Sequence, residues 1–108
     1  MPKYLIEGSY SAEGLLGLVK EGGGARRDAV AQLVQGLGGT LEVFYYTFGR
    51  EDTVAIADLP DNVTATAISI AANASGAVRV SITVLLTPEE IDAATKKTNY
   101  YRAPGEPI

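Results

Sequence analysis

The chain has 108 residues, 46% of them hydrophobic and 20% charged, with a formal net charge of −4. Those totals describe one soluble globular domain with length for one ordinary core, and the negative balance argues against nucleic acid or an anionic membrane as partner. Cysteine and histidine are both absent, which excludes disulfides, thiolate nucleophiles, the serine–histidine relay and the usual zinc sites, so no metal or other cofactor is expected.

Lys3 to Ser9, "KYLIEGS", alternates and predicts a first strand, with Tyr4 and Ile6 on one side and Leu5 and Glu7 on the other. Ser11 is placed to cap a short helix carrying Leu15, Leu18 and Val19 on one side. "EGGGA" (Glu21 to Ala25) then interrupts it, since successive glycines lose too much backbone entropy to continue a helix. A second helix resumes near Ala25, with Val30, Leu33, Val34 and Leu37 at amphipathic spacing, and Gly38-Gly39 ends it. "TLEVFYYTF" (Thr40 to Phe48) and "TVAIADL" (Thr53 to Leu59) are rich in β-branched and aromatic residues and predict two strands joined as a hairpin. Pro60 and Asp61 open a third helix with an apolar stripe of Ala67, Ile70, Ala71 and Ala74, closed by Gly76. "AVRVSITVLL" sets Val78, Val80, Ile82, Val84 and Leu86 against Arg79, Ser81, Thr83 and Leu85, the clearest alternation in the chain. In "TPEEIDAATKK", Thr87, Pro88 and Glu90 form a capping box with proline at the first helical position.

This order predicts an α+β, ferredoxin-like βαββαβ domain over residues 1–98: a four-stranded antiparallel sheet with two helices on one face, plus a C-terminal helix. Residues 99–108 read as an extended tail. The amino terminus has no basic leader followed by an apolar run, and no segment approaches the ~20 apolar residues that span a bilayer. A cytoplasmic protein with no membrane partner is the expectation.

The helices cover one face of such a sheet, so the other should be polar at alternate positions. The last strand follows that rule and the second does not. Strict alternation puts Leu41, Val43 and Tyr45 on one side and Phe44, Tyr46 and Phe48 on the other. Three aromatics on the open face exceed what a monomer usually exposes, which points to a homodimer, or a higher homo-oligomer, with this face covered by a second copy. A cover formed by the last helix or the tail is the alternative. An enclosed face would bring Glu7, Ser9, Tyr46, Arg79, Ser81 and Thr83 to the wall of an interfacial pocket for a small ligand. Glu7 and Arg79 would then either orient that ligand or pair with each other across neighbouring strands.

"YYTFGREDTVAIA" (Tyr45 to Ala57) holds a glycine, an arginine and two acids in one break between strands. The residues read as a turn: Gly49 supplies a positive φ, Asp52 accepts backbone N–H groups in the loop, and Arg50 and Glu51 are solvated at the tip.

In "PKYLIEGSYSAEGL", "LGGTLEVFYYTFGREDTVAIADLPD" and "VRVSITVLLTPEE" the chain resembles the GYD-domain family of small bacterial proteins, over residues 2–95. The resemblance implies a dimeric α/β barrel without an assigned activity. Of the glycine, tyrosine and aspartate that name the family, Gly49 and Asp52 match in spacing, whereas Glu51 stands where the tyrosine is expected. A tyrosine hydroxyl at that position therefore has no essential role here.

Three functions fit these residues. The first is a dimeric binding or sensing module for a small, partly apolar metabolite. The second is a cofactor-independent monooxygenase or isomerase, with Tyr4, Tyr45 or Tyr46 as proton donor, Arg79 stabilising an oxyanion and Glu7 as base. The haem-degrading members of this architecture rely on histidine, so haem is not expected. The third is an assembly partner for another protein, with Tyr100, Tyr101 and Arg102 offering residue types enriched at interfaces.

Overall fold

The structure, a computed structural model, describes residues 1–107. Ile108, the last residue of the expected tail, lies outside the described residues. The elements run β1 (Lys3–Tyr10), α1 (Ala12–Glu21), α2 (Gly23–Gly36), β2 (Thr40–Tyr46), β3 (Thr53–Asp58), α3 (Asn62–Ala74), β4 (Val78–Leu85) and α4 (Pro88–Thr95). The four strands pair antiparallel in the order β2-β3-β1-β4, which puts the first and last strands side by side as the ferredoxin-like arrangement requires.

Alternation along the two central strands sends Tyr4, Ile6 and Gly8 of β1, with Thr53, Ala55 and Ala57 of β3, toward the helices. The buried core occupies one end of this face, where Tyr4 and Ala57 meet Val34 of α2, Leu59, and Ala65 and Ile68 of α3. Leu59 and Val34 are its largest fully buried side chains, each worth roughly 1.5–3 kcal/mol of transfer free energy. The Tyr4 phenol donates to Asn62 Oδ1, so the buried aromatic also satisfies its polar tip at the start of α3.

The caps follow from local chemistry. Ser11 Oγ accepts from Gly14 N at 3.1 Å and Asp61 Oδ1 from Thr64 N at 2.8 Å. The bond from Thr64 N, and after it one from the Thr64 hydroxyl at 2.8 Å, hold the Asp61 carboxyl below its ordinary pKa. At α4, Thr87 and Glu90 cap each other reciprocally.

Four expectations need correction. The break between α1 and α2 is Gly22 alone, at φ 90°; Gly23 and Gly24 enter the first turn of α2, where their unpaired N–H groups need no helical partner. The α3 stripe turned inward is Ala65 and Ile68, while Ile70 is 65% exposed. An Ala/Ile-rich helix offers two stripes, and the Asp61 cap with the Tyr4–Asn62 bond selects between them. In β2, a register irregularity lies between Leu41 and Val43, so Glu42 is the extra residue of a bulge. The bulge turns Leu41, Phe44 and Tyr46 to the helix side and leaves Val43 and Tyr45 on the open face. The open face thus carries one strand aromatic, not three. Finally, neither α4 nor the tail covers that face: every residue from 86 to 102 is exposed, and α4 makes no substantial contact with another element.

The β2–β3 hairpin also differs from its sequence reading. Phe48, not Gly49, has the positive φ, at 44°. Thr47 N donates to Asp52 O at 2.8 Å and Gly49 N to Glu51 O at 3.0 Å. The Asp52 carboxylate accepts from Tyr10 N at 2.8 Å, and its own N–H donates to Gly8 O at 2.8 Å, so it ties the hairpin to β1 instead of bonding inside the loop. Glu51 is likewise engaged, accepting from Ser9 Oγ at 2.6 Å.

Two glycines separate these constraints. A methyl group at Gly49 would meet nothing within 4 Å, whereas at Gly39 it would lie 2.3 Å from the Asp58 carbonyl oxygen and 3.1 Å from Val34 Cγ1. Urea denaturation should therefore find Gly49→Ala within about 0.5 kcal/mol of wild type and Gly39→Ala destabilised by about 2 kcal/mol or more. Equal losses at both positions would contradict the hairpin geometry.

Candidate functional site

The helix-side face of the sheet can be followed in cross-strand rows. Leu41, Ala57, Tyr4 and Val84 form the row beneath the core; Phe44, Ala55, Ile6 and Ile82 form the next; Tyr46, Thr53, Gly8 and Val80 form the third. Moving along these rows, the central-strand pair shrinks from Tyr4 and Ala57 to Gly8 and Thr53. The floor drops as it leaves the core. Above it, α2 lies on β2 and α3 on β4, and the two helices make no substantial contact with each other. A cavity of about 480 Å³ fills the gap, within the range of small-molecule sites.

Its walls are mostly aliphatic and aromatic: Ile6, Val30, Phe44, Ile68 and Val80 are representative. Small residues of α1 (Gly14 and Gly17) and α3 (Ala71 and Ala72) widen it from above. Gly14 is small for a structural reason, since a methyl group there would lie 2.0 Å from Ala77 O, where α1 docks against the start of β4. Gly17 has no such reason, because a methyl group there meets nothing within 4 Å. The polar lining is sparse. Glu13, Glu21 and Arg26 stand on the helices, Tyr10 and Ser75 lie at the ends of β1 and α3, and Thr53, 8% exposed, lies on the floor. Arg26 reaches Glu21 at 3.4 Å.

Tyr46 pairs with Thr53 across β2 and β3 and stands beside the cavity, outside its lining. Its phenol donates to Gly23 O at 2.9 Å, tying β2 to the first turn of α2, and its ring meets Phe44 edge-on and stacks on Phe48 at centroid distances of 5.2 and 6.0 Å. Burial foremost, with the neighbouring Tyr10 phenol, raises the Tyr46 pKa above the ordinary tyrosine value.

The other five ligand candidates, Glu7, Ser9, Arg79, Ser81 and Thr83, share the open face as adjacent residues of β1 and β4, with Tyr46 on the opposite side of the sheet. The register sets Glu7 opposite Ser81 and Ser9 opposite Arg79. Glu7 and Arg79 are thus diagonal neighbours, and no ion pair joins them among the described residues. None of the five lines the 480 Å³ cavity or a second, 310 Å³ cavity beside α3. The tyrosines considered as proton donors are scattered: Tyr4 is in the core, Tyr45 is on the open face, and Tyr46 is bonded to the backbone. Thr53, Gly8, Ala55 and Gly17 were not singled out from sequence. The available signal was the run of small residues at alternate positions of β3.

Residues 4–95 match the GYD domain. The chain belongs to the GYD domain family. No curated protein and no solved structure is detectably similar to it. The match to this GYD domain covers all four strands and ends with α4, so the cavity and the open sheet face both lie within it. No helix among the described residues is long and apolar enough to cross a membrane.

The state of Tyr46 gives a measurable consequence. With its pKa raised on folding, the stabilisation is complete below the ordinary tyrosine value and is lost as pH rises through the folded value. Urea denaturation at about pH 9 and about pH 11 should show wild-type stability falling by more than that of Tyr46→Phe. Identical pH dependence in the two proteins would mean that the phenol is not held in its neutral form.

Proposed function

We propose that this GYD-domain protein is a small-molecule-binding module: a homodimer paired through the open faces of its sheets, with a partly apolar ligand held in the helix-side cavity of each chain. The observation that carries the reading is the cavity itself. The space opens partly to solvent, and Gly8, Thr53 and Ala55 keep its floor low while Gly17 keeps the roof thin without a packing need. Binding is favoured over turnover by the same residues. The lining is mostly apolar and holds one phenol, Tyr10, among the described residues, while the Tyr46 phenol beside it already donates to Gly23 O.

The pairing of sheets rests on the middle of the open face. Leu5, Val43, Val54 and Ile56 form an apolar centre, with Tyr45 beside it at 65% exposure. At one end Lys3 bonds both Glu42 at 2.6 Å and Asp58 at 3.0 Å, which leaves the three with a net charge of −1 at the rim of the patch. The same patch on a second copy is a self-complementary cover.

Two measurements test the two halves. Nile red, a neutral apolar dye, should bind wild type and lose at least about tenfold in affinity in Gly17→Leu, which fills the cavity while gaining roughly 0.5–1 kcal/mol of helix propensity. Retained binding in that folded variant would place the ligand elsewhere. Light scattering at micromolar concentration should report a dimer for wild type and a monomer for Ile56→Lys, and a monomeric wild type would remove the pairing of sheets.

A further inference from the structure

We infer that the ligand of the helix-side cavity is an uncharged, largely apolar molecule carrying one hydroxyl or carbonyl group, and that this group bonds to the Thr53 side chain. The inference rests on the reading of the cavity as a ligand site and names what that site selects. Thr53 is 8% exposed, the one buried polar or charged residue among the described residues, and it lies on the cavity floor. Its hydroxyl has no hydrogen-bond partner among the described residues, yet no side-chain polar atom is both sealed off and unpaired. The hydroxyl is therefore accessible, and Thr53 lines the cavity. It sits directly over Gly8: a methyl group there would lie 2.9 Å from Thr53 Oγ1. The glycine leaves the hydroxyl uncovered at the lowest part of the floor.

A hydroxyl with no protein partner on an apolar floor is left to water until a ligand group replaces that water. Threonine both donates and accepts, so an alcohol, a phenol or a ketone would satisfy it. A charged group would not. The residues around Thr53 on the floor are Gly8, Val80 and Ala55, with Tyr46, whose phenol proton is already given to Gly23 O. No cation stands there to repay the desolvation of a carboxylate, and no anion to repay that of an ammonium. Among the described lining residues the single cation, Arg26, faces Glu21 at 3.4 Å and shares the lining with Glu13, so an anion gains little there either.

Four naphthalenes of nearly equal size separate the possibilities: naphthalene, 2-naphthol, 2-naphthoate and 2-naphthylmethylammonium, each competed against Nile red at neutral pH. In wild type 2-naphthol should bind tightest, by about fivefold over naphthalene, with both ions weaker than naphthalene. The gap between 2-naphthol and naphthalene should close in Thr53→Val, which keeps the shape and removes the hydroxyl, and persist in Thr53→Ser. Equal affinities for 2-naphthol and naphthalene in wild type, or tightest binding of either ion, would overturn the assigned chemistry while leaving the cavity as the site, provided Gly17→Leu still abolishes binding. Failure of all four to bind, or full binding by Gly17→Leu, would instead remove the cavity reading and this inference with it.

Discussion

The placement of Tyr4 decides much of this structure. It is the one large side chain that the central strands send into the core, 2% exposed, and it packs between α2 and α3 while bonding the first residue of α3 through its phenol. Both main helices are anchored at that end of the sheet. Past it, β1 and β3 offer only Ile6, Ala55, Thr53 and Gly8 on the same face. Side chains that short cannot draw two helices together, because dispersion and apolar burial scale with the atoms brought into contact. The helices stay with their own edge strands, α2 on β2 and α3 on β4, and the space between them remains. The cavity follows from the fall in side-chain size along β1, from Tyr4 through Ile6 to Gly8, beside a β3 face of short side chains.

The bulge at Glu42 makes this arrangement compatible with an aromatic-rich edge. Without it, Phe44 and Tyr46 would face away from the helices and Leu41 away from the core. With one extra residue, Leu41 supports the core while Phe44 walls the cavity and Tyr46 stands beside it on the same side. The extra residue is itself used: Glu42 bonds Lys3 across β3 at 2.6 Å, beside the Lys3–Asp58 bond. These two bonds raise the lysine pKa, the Glu42 bond first. The exposure of the three groups keeps the energetic contribution small, so the cluster's value lies in pinning the register at the end of the sheet.

What the sequence made legible was whatever depends on period and on caps. The strand of Val78 to Leu85, the reciprocal cap of Thr87 and Glu90, and the strand order all follow from local signals. What it hid were departures from strict period. A bulge has no composition of its own when the residue inserted is an ordinary glutamate, so the faces of β2 were exchanged and Tyr46 was grouped with Glu7 and Arg79 on the wrong side. The α3 stripe was ambiguous for a related reason, since alanine and isoleucine recur on two sides of that helix and only tertiary bonds choose. The cavity was the least legible feature. A missing side chain is a signal only once its row partners are known, and Gly8 opposite Thr53 and Val80 is a fact of register.

The two parts of the proposed function occupy opposite faces of the same strands. Gly8 lies between Glu7 and Ser9, and Val54 lies between Thr53 and Ala55, so cavity floor and open face alternate residue by residue. They share backbone and no side chain. An event on one face reaches the other only by moving the β1–β3 ladder as a unit, and that ladder is held on both sides by neighbouring strands. Coupling between dimerisation and ligand binding must therefore act through sheet twist or helix position, with no shared contact to transmit it. Gly17, in a helix above the floor, and Ile56, on the far side of the sheet, have no partner in common. Substitutions at the two should then combine additively in stability. The alternation that builds the sheet also lets ligand binding and self-association be altered one at a time.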